Sequence, residues 1–344
     1  MRENTLPVKV HAVVRETPEA VTLVLAPLAQ ELRLDPYQPG QFLTLLLNVD
    51  GQPLRRSYSL ATTPYTDALP AITVKRVAGG RASTYLTEQL KAGDYLEVIG
   101  PAGTFTLDFS AQQQRKVVFV GAGSGITPLY SLLQGLLHCE PDSSALLLYA
   151  SRDSAHIIYR QALEQLQSQH PQRFALMHLL SQAQPSWAGL RGRLTETLAS
   201  RLLPSDADSY LLCGPQGFME LARRALYAQG VDPARVRQES FVTAAAPQPK
   251  LRTKPAQLTL RDEGIQQYCQ VAPEETLLEA ALRCGIDIPY TCGSGICNTC
   301  RARCVAGQVV MSQDEGLSEQ ERKEGYVLTC VAHAASDEVV LAVE

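Results

Sequence analysis

The chain has 344 residues, 45% of them hydrophobic and 19% charged, with a formal net charge of −4 at pH 7. That composition fits a globular protein of two or three domains and gives no sign of a nucleic-acid partner; no apolar run is long enough for a membrane span. Nine cysteines, and an N-terminal stretch without the apolar core of a signal peptide, lead to the expectation of a reducing cytoplasm.

From Val8 to about Leu107, apolar and polar residues alternate in short runs, as in Val21-Thr-Leu-Val-Leu, Phe42-Leu-Thr-Leu-Leu-Leu and Ala71-Ile-Thr-Val-Lys. Turn residues such as Pro39-Gly40 and Asp50-Gly51 separate them. The pattern predicts a small closed β-barrel. One helix is expected inside it, from about Ser83 to Leu90, with Ser83 as N-cap. Along Arg55-Arg56-Ser57-Tyr58-Ser59-Leu60 the residues Arg56, Tyr58 and Leu60 share one face. Arginine suits a phosphate, and tyrosine can lie flat on a ring system. The same run could equally be a plain polar strand. Gly79-Gly80-Arg81-Ala82-Ser83-Thr84 opens the expected helix, where backbone amides can hold a pyrophosphate.

After residue 110 the pattern changes. Strands are expected at Lys116–Gly121, Ala145–Tyr149, Phe174–Leu180 and Ser209–Cys213, with helical patterns at Leu129–Leu137, Ile158–Ser168, Thr195–Leu202 and Gly217–Gln229. This alternation predicts a doubly wound parallel sheet, which binds ligands at the carboxyl ends of its strands. Gly121-Ala-Gly123-Ser-Gly125-Ile-Thr127-Pro128 links a strand to a helix, the context a pyrophosphate needs. By itself such a loop could be only a tight connection. The second strand ends in Ser151-Arg152, which suits a 2′-phosphate and so NADPH, whereas Asp153 opposes that reading. Thr243 to Pro255 is rich in Pro and Ala and is expected to be a linker.

The last stretch carries 14 acidic and 6 basic residues from Gln257 onward, a charge of −8 against +4 for the rest. Strands are expected at Gln257–Arg261, Gln266–Val271, Arg301–Val305 and Val339–Val343, with capping boxes at Thr276–Glu279 and Ser318–Glu321. Between them stands Cys292-Gly-Ser-Gly-Ile-Cys297-Asn-Thr-Cys300, with Cys330 thirty residues on. C-x4-C-x2-C plus a distant cysteine is the spacing of plant-type [2Fe–2S] ligands. Structural zinc prefers paired C-x2-C knuckles, and only one such pair occurs. Cys304 is excluded from the ligand set because the fourth thiolate should be distant. Cys139, Cys213, Cys269 and Cys284 also stand outside it.

Arg56-x-Tyr58-Ser59 followed by Gly80-x-x-Ser83 resembles the flavin domain of the ferredoxin–NADP reductase superfamily. Pro39-Gly40-Gln41-Phe42 and Gly100-Pro-Ala-Gly103-Thr-Phe105 are similar to its shorter signatures, and the Gly121–Pro128 loop and Cys213-Gly214-Pro215 to its nicotinamide signatures. The last stretch resembles a β-grasp ferredoxin. The resemblance implies a multi-domain α/β plus β chain. Residues 1–110 would be an FAD-binding β-barrel and 111–242 a doubly wound NAD(P)-binding α/β domain. A linker at 243–256 would lead to a [2Fe–2S] ferredoxin at 257–344.

It also implies that Arg56 holds flavin phosphate, Tyr58 packs on the flavin ring, and Ser59 approaches its reactive edge. The turn with Gly80, Ala82 and Ser83 would hold the FAD pyrophosphate, Arg76 would also bind the cofactor, and FAD is preferred to FMN. Gly121, Gly123, Gly125, Thr127, Pro128, Ser151, Arg152, Gly214 and Pro215 would bind the nicotinamide nucleotide. Cys213 would act beside the nicotinamide, Phe241 would cover the flavin, and Cys292, Cys297, Cys300 and Cys330 would hold one cluster.

The expected activity is transfer of electrons from NADPH or NADH through FAD and [2Fe–2S] to a partner oxygenase, hydroxylase or desaturase. The domain order is similar to that of phenylacetyl-CoA epoxidase-type reductases. A hybrid-cluster protein as acceptor, and a non-catalytic electron carrier, are the alternatives. The tether and the acidic module suggest a ferredoxin domain that swings between flavin and partner, with Asp314, Glu315, Glu319 and Glu321 steering it.

Overall fold

The computed structural model describes residues 5–28, 37–241, 254–262, 265–290, 293, 295, 298–312 and 316–343. They fall into two compact units, one within residues 5–241 and one within 242–344.

The first unit begins with six antiparallel strands: β1 (Leu6–Thr17), β2 (Ala20–Pro27), β3 (Phe42–Val49), β4 (Gln52–Ser59), β5 (Ala71–Lys75) and β6 (Tyr95–Ala102). Their order is β4-β3-β6-β1-β2-β5. The two edges meet through a Leu60–Ile72 bridge and an Ala61 N–H donated to Ala71 O at 2.8 Å, which curls the sheet into a barrel. Inward residues such as Val10, Leu23, Leu43, Leu45, Ile72 and Val98 are fully buried. Each such side chain stabilises the fold by about 1.5–3 kcal/mol.

The inserted helix, α1 (Arg81–Thr84), runs on into a π turn at Tyr85–Gln89. It starts earlier than the sequence pattern suggests. Gly80, not Ser83, is the N-cap residue, and Ser83 sits in the first turn. The Ser83 hydroxyl donates to Gly80 O and accepts from the Val77 amide, both at 3.1 Å, so it ties the preceding turn instead of capping the helix.

The same unit continues with a wholly parallel sheet: β7 (Lys116–Ala122), β8 (Ser144–Ser151), β9 (Phe174–Leu180), β10 (Leu190–Arg191), β11 (Ser209–Cys213) and β12 (Val236–Glu239). The order β10-β9-β8-β7-β11-β12 means that the chain winds outward from β7 and then returns to β7's other side. Helices α2 (Ile126–Cys139), α3 (Arg160–Gln169), α4 (Glu196–Leu202) and α5 (Gln216–Ala228) cover it. Alternate strand residues enter two separate cores. Val117, Phe119, Leu147 and Leu211 pack with Leu129, Leu132 and Leu163. Val118, Val120, Leu148 and Leu212 pack with Met219, Ala222 and Leu226. Burial on both faces explains why these strands read as unbroken apolar runs.

In the second unit, β13 (Ala256–Asp262), β14 (Ile265–Val271), β15 (Arg301–Ala306), β17 (Tyr326–Leu328) and β19 (Glu338–Val343) form a sheet ordered β14-β13-β19-β15-β17. The β13–β19 pair is parallel and the others antiparallel. β16 (Val309–Met311) and β18 (Ala332–Ala334) pair separately. Both expected capping boxes are present, opening α6 (Leu277–Arg283) and α7 (Glu319–Lys323). Leu277, Leu278, Ala280 and Ala281 bury the inner face of α6 in this unit's core. Cys269 and Cys284 form a disulfide between β14 and the end of α6, a pairing not assigned from sequence. Closing a loop of this 15-residue separation is worth about 3 kcal/mol. The expected linker lies mostly outside the described residues, as do Asp314 and Glu315.

Candidate functional site

The barrel contributes the end of β4. Pairing with β3 sets Tyr58 against Leu43 and Ser59 against Phe42, and the Ser57 and Thr44 hydroxyls meet at 2.9 Å. Tyr58 is half-buried, and burial pushes its phenol up to about 12. Arg56 is exposed, and its guanidinium donates to Arg55 O at 2.6 Å. Ser59 is buried and donates to Glu239 Oε2 at 3.3 Å. Around the expected pyrophosphate turn Ala82 is buried, and Arg76 pairs with Glu88 at 3.2 Å. A Cβ at Gly80 would lie 2.6 Å from Ser83 Oγ and 3.1 Å from Val77 O, so a side chain there would have to displace the Ser83 hydroxyl that ties the turn.

The parallel sheet contributes its topological switch point, between β7 and β11. Gly121 is paired with Cys213, and the loop after it folds over the end of β11. A Cβ at Gly125 would stand 2.2 Å from Cys213 O. Gly123 has φ +57°, and a Cβ there would be 3.6 Å from Lys75 Nζ, so a barrel lysine overlooks the loop. The Tyr149 hydroxyl donates to Gly123 O at 2.9 Å, and Thr127 Oγ1 to Ser124 O at 3.0 Å. Pro128 lies in the first turn of α2, where its missing N–H leaves no helical bond unmade. Gly214 and Pro215 follow Cys213 and lead into α5, with Pro215 as its N-cap residue.

β12 pairs with β11 so that Glu239 stands opposite Cys213. Both are buried, Cys213 completely. Burial, aided by the Glu239 charge, pushes the Cys213 thiol well up. Burial raises the Glu239 carboxyl from 4.5 to about 8, against the opposing hydrogen bond from Ser59. Ser59, Cys213 and Glu239 therefore converge where the barrel meets the parallel sheet. Sequence reasoning named the first two and missed Glu239. The available signal was an acidic residue in Gln238-Glu239-Ser240-Phe241, at the end of β12, where Glu239 is buried while Val236 and Arg237 are half-buried and Gln238 is exposed. Phe241, two residues on, is 39% exposed. Ser151 is buried at the end of β8, and Arg152 is engaged by carboxylates on both sides.

In the second unit, Cys300 and Cys330 are both buried and bring their Sγ atoms to 3.2 Å. The Gly295 amide donates to Cys330 Sγ at 3.3 Å. Cys292 and Cys297 lie outside the described residues, and among the described residues no group of three metal-ligating side chains assembles. Cys304 is half-buried on β15, where its thiol contacts Ala306 O at 3.5 Å and burial raises its pKa.

Glu321 is not a free steering charge. Burial opposes its ionisation, but the Ser318 amide, Arg301, the Ser318 hydroxyl and Asn298 hold the carboxyl down to about 2. It braces the stretch next to Cys300.

The residues present fit the groups they would hold. At the two expected phosphate turns, Gly125 leaves no space for a side chain against the Cys213 backbone, and a side chain at Gly80 would press on the Ser83 hydroxyl. A backbone N–H aimed at a cysteine sulfur is the donor a sulfur-ligated cluster uses.

Residues 7–107 match the oxidoreductase FAD-binding domain family, 119–224 the oxidoreductase NAD-binding domain family, and 260–335 the 2Fe-2S iron-sulfur cluster binding domain family. The chain is 34% identical over 338 residues to a component of 1,2-phenylacetyl-CoA epoxidase from Escherichia coli (strain K12), covering 95% of this chain and 94% of that one. It belongs to the three-domain oxygenase-reductase family. Another relative is the ferredoxin reductase component of 3-ketosteroid-9-alpha-monooxygenase from Rhodococcus rhodochrous, at 33% identity, with 95% of this chain and 94% of the other covered. The fold is that of phthalate dioxygenase reductase, with TM-score 0.64, 24% identity, and 99% and 98% of the two chains covered.

This family member is an NAD(P)H-dependent oxidoreductase that uses FAD and [2Fe–2S]. No helix among the described residues is long and apolar enough to cross a membrane.

Proposed function

We propose that this chain is the reductase component of a terminal oxygenase, hydroxylase or desaturase, and that it delivers electrons to that partner one at a time. The observation that carries the reading is the convergence of Ser59, Cys213 and Glu239 from three distant segments at the barrel–sheet junction. When bound, FAD would supply two-electron chemistry toward NAD(P)H and one-electron chemistry toward the cluster, so that both electrons would leave through the cluster singly.

The chain supplies the geometry. Tyr58 packs on the flavin ring, Ser59 hydrogen-bonds at its reactive edge, and Arg56 and Arg76 pair with its phosphates. The Gly80 amide is bonded to Val77 O, so the amides that would serve a pyrophosphate are those of the first turn of α1, from Arg81 to Ser83, which favours FAD over FMN. Gly121, Gly123 and Gly125 admit the nicotinamide nucleotide, with Thr127 and Pro128 opening the helix beneath it. Cys213, Gly214 and Pro215 form the nicotinamide wall. Glu239, neutral at pH 7, holds the Ser59 hydroxyl and brings no buried charge against the incoming hydride. Phe241 covers the flavin. Cys292, Cys297, Cys300 and Cys330 hold a single cluster.

The test separates the two halves of the path. Cys330→Ser should lose the cluster's visible absorption and all delivery to a one-electron protein acceptor, yet keep NAD(P)H-dependent reduction of a small dye. The wild type should carry two irons and one FAD per chain by metal analysis and chromatography of the released flavin. Loss of dye reduction in a flavin-replete Cys330→Ser protein would overturn the proposed order.

A further inference from the structure

In dinucleotide-binding sheets the loop after the second strand distinguishes a ribose 2′-hydroxyl from a 2′-phosphate. In this chain Arg152 occupies that place, one residue beyond β8. Its guanidinium is already engaged. One nitrogen, Nη2, lies 2.9 Å from Glu19 Oε1, in the turn between β1 and β2 of the flavin barrel. Another, Nε, lies 3.6 Å from Asp153 Oδ2. His156 stands on a third side, with Nδ1 hydrogen-bonded to Asp153 Oδ1 at 2.7 Å and Nε2 facing Arg152. The contact is strong enough that Arg152 holds the Glu19 carboxyl below its ordinary range. Lys75, a further cation near Glu19, lies against the glycine loop, 3.6 Å from where a Cβ at Gly123 would stand.

A 2′-phosphate needs a cation, and the arginine best placed to serve is taken. To use it, the phosphate must either displace Glu19 or lie beside two carboxylates, Glu19 and Asp153, that already share the charge of the guanidinium. Like charges brought together repel. A 2′-hydroxyl makes no such demand, because it is neutral and can donate to a carboxylate.

We propose that Glu19 is a positioning residue that selects NADH over NADPH: by holding Arg152 across the barrel–sheet junction, it withdraws the cation that a 2′-phosphate would use. The inference rests on the reductase reading above and narrows its electron donor. It gives the flavin barrel, 133 residues away in sequence, a part in nucleotide choice.

The test is titration calorimetry of NAD⁺ and NADP⁺ on the full-length, flavin-loaded protein. Wild type should bind NAD⁺ more tightly. Glu19→Gln keeps the side chain's shape and frees Arg152, so NADP⁺ affinity should rise roughly ten- to a hundredfold relative to NAD⁺. In Glu19→Gln/Arg152→Ala that gain should vanish, because the arginine carries it. A merely structural role for Glu19 would move both dissociation constants together and leave their ratio fixed, which would overturn the proposal. So would a wild type that binds NADP⁺ as tightly as NAD⁺, a result that needs no variant to fold. Binding of neither dinucleotide by the folded, flavin-loaded protein would overturn the reductase reading as well.

Discussion

Glu239 is kept neutral by its surroundings, and that has a measurable cost. Its folded-state pKa is about 8 against an ordinary 4.5. Below the lower value the folded and unfolded chains are both protonated. Between the two, the unfolded chain releases a proton that the folded chain keeps, so stability falls as pH rises. The contribution is therefore fully present below about pH 4.5 and lost as pH climbs through 8. A shift of this kind is worth on the order of a few kcal/mol. Glu239→Gln cannot titrate, so its melting temperature should decline less than that of the wild type between about pH 5 and pH 8. Parallel melting curves for the two proteins over that range would show that the carboxyl does not titrate in this way. Flavin reduction by NAD(P)H should also slow in the variant if Ser59 loses its acceptor's geometry, and stopped-flow absorbance reads that rate directly.

At the scale of elements, the β7–α2 loop and the end of β11 form one packed joint. The clash at Gly125 is with backbone, Cys213 O at 2.2 Å and Cys213 C at 2.4 Å, so no rotamer change can relieve it. Gly125→Ala must push the loop off β11. Overpacking of this sort costs roughly 1–3 kcal/mol, and here the displaced loop is also the proposed nucleotide cradle. The expected outcome is a lower melting temperature together with at least about tenfold weaker NAD(P)H binding, with flavin content retained because the barrel is untouched. Unchanged nucleotide affinity, measured by titration, would remove the loop from the site. In the ferredoxin unit, α6 is fixed at both ends, by the Thr276–Glu279 capping box and by the Cys269–Cys284 disulfide.

Over the whole molecule, charge is divided between the units. The acidic C-terminal region carries −8 and the remainder +4. Among the described residues Glu275 pairs with Arg283 and Glu321 with Arg301, and such pairing leaves the net sign unchanged. An acidic surface attracts a basic partner over a distance set by the Debye length, about 10 Å at 0.1 M salt. Electron delivery to an external protein acceptor should therefore fall as ionic strength rises, whereas hydride transfer within residues 5–241 should change much less. Rates measured at sub-saturating acceptor from about 0.02 to about 0.5 M salt check this. A salt-independent delivery rate would leave the acidic surface as ordinary solvation.

Much of this protein is written in short windows of its sequence. The cysteine spacing, both capping boxes, the two strand patterns and the glycine loop each depend on residues within a few turns of one another, so local geometry specifies them. Even there one local signal misled: Ser83 looks like an N-cap, but positive φ at Gly79 and the tight turn through Gly80 start the helix sooner. What sequence could not supply are the meetings set by strand register. Glu239 faces Cys213 because β12 adds to β11 in a parallel register, and it reaches Ser59 across 180 residues. Arg152 reads from sequence as a phosphate ligand, but Glu19 holds it from the barrel. Cys269 and Cys284 pair because β14 runs beneath the end of α6. Composition and spacing determine which modules and which chemistry the chain carries. Only the packing of distant strands decides which charged groups are neutralised, and therefore which remain available to a ligand.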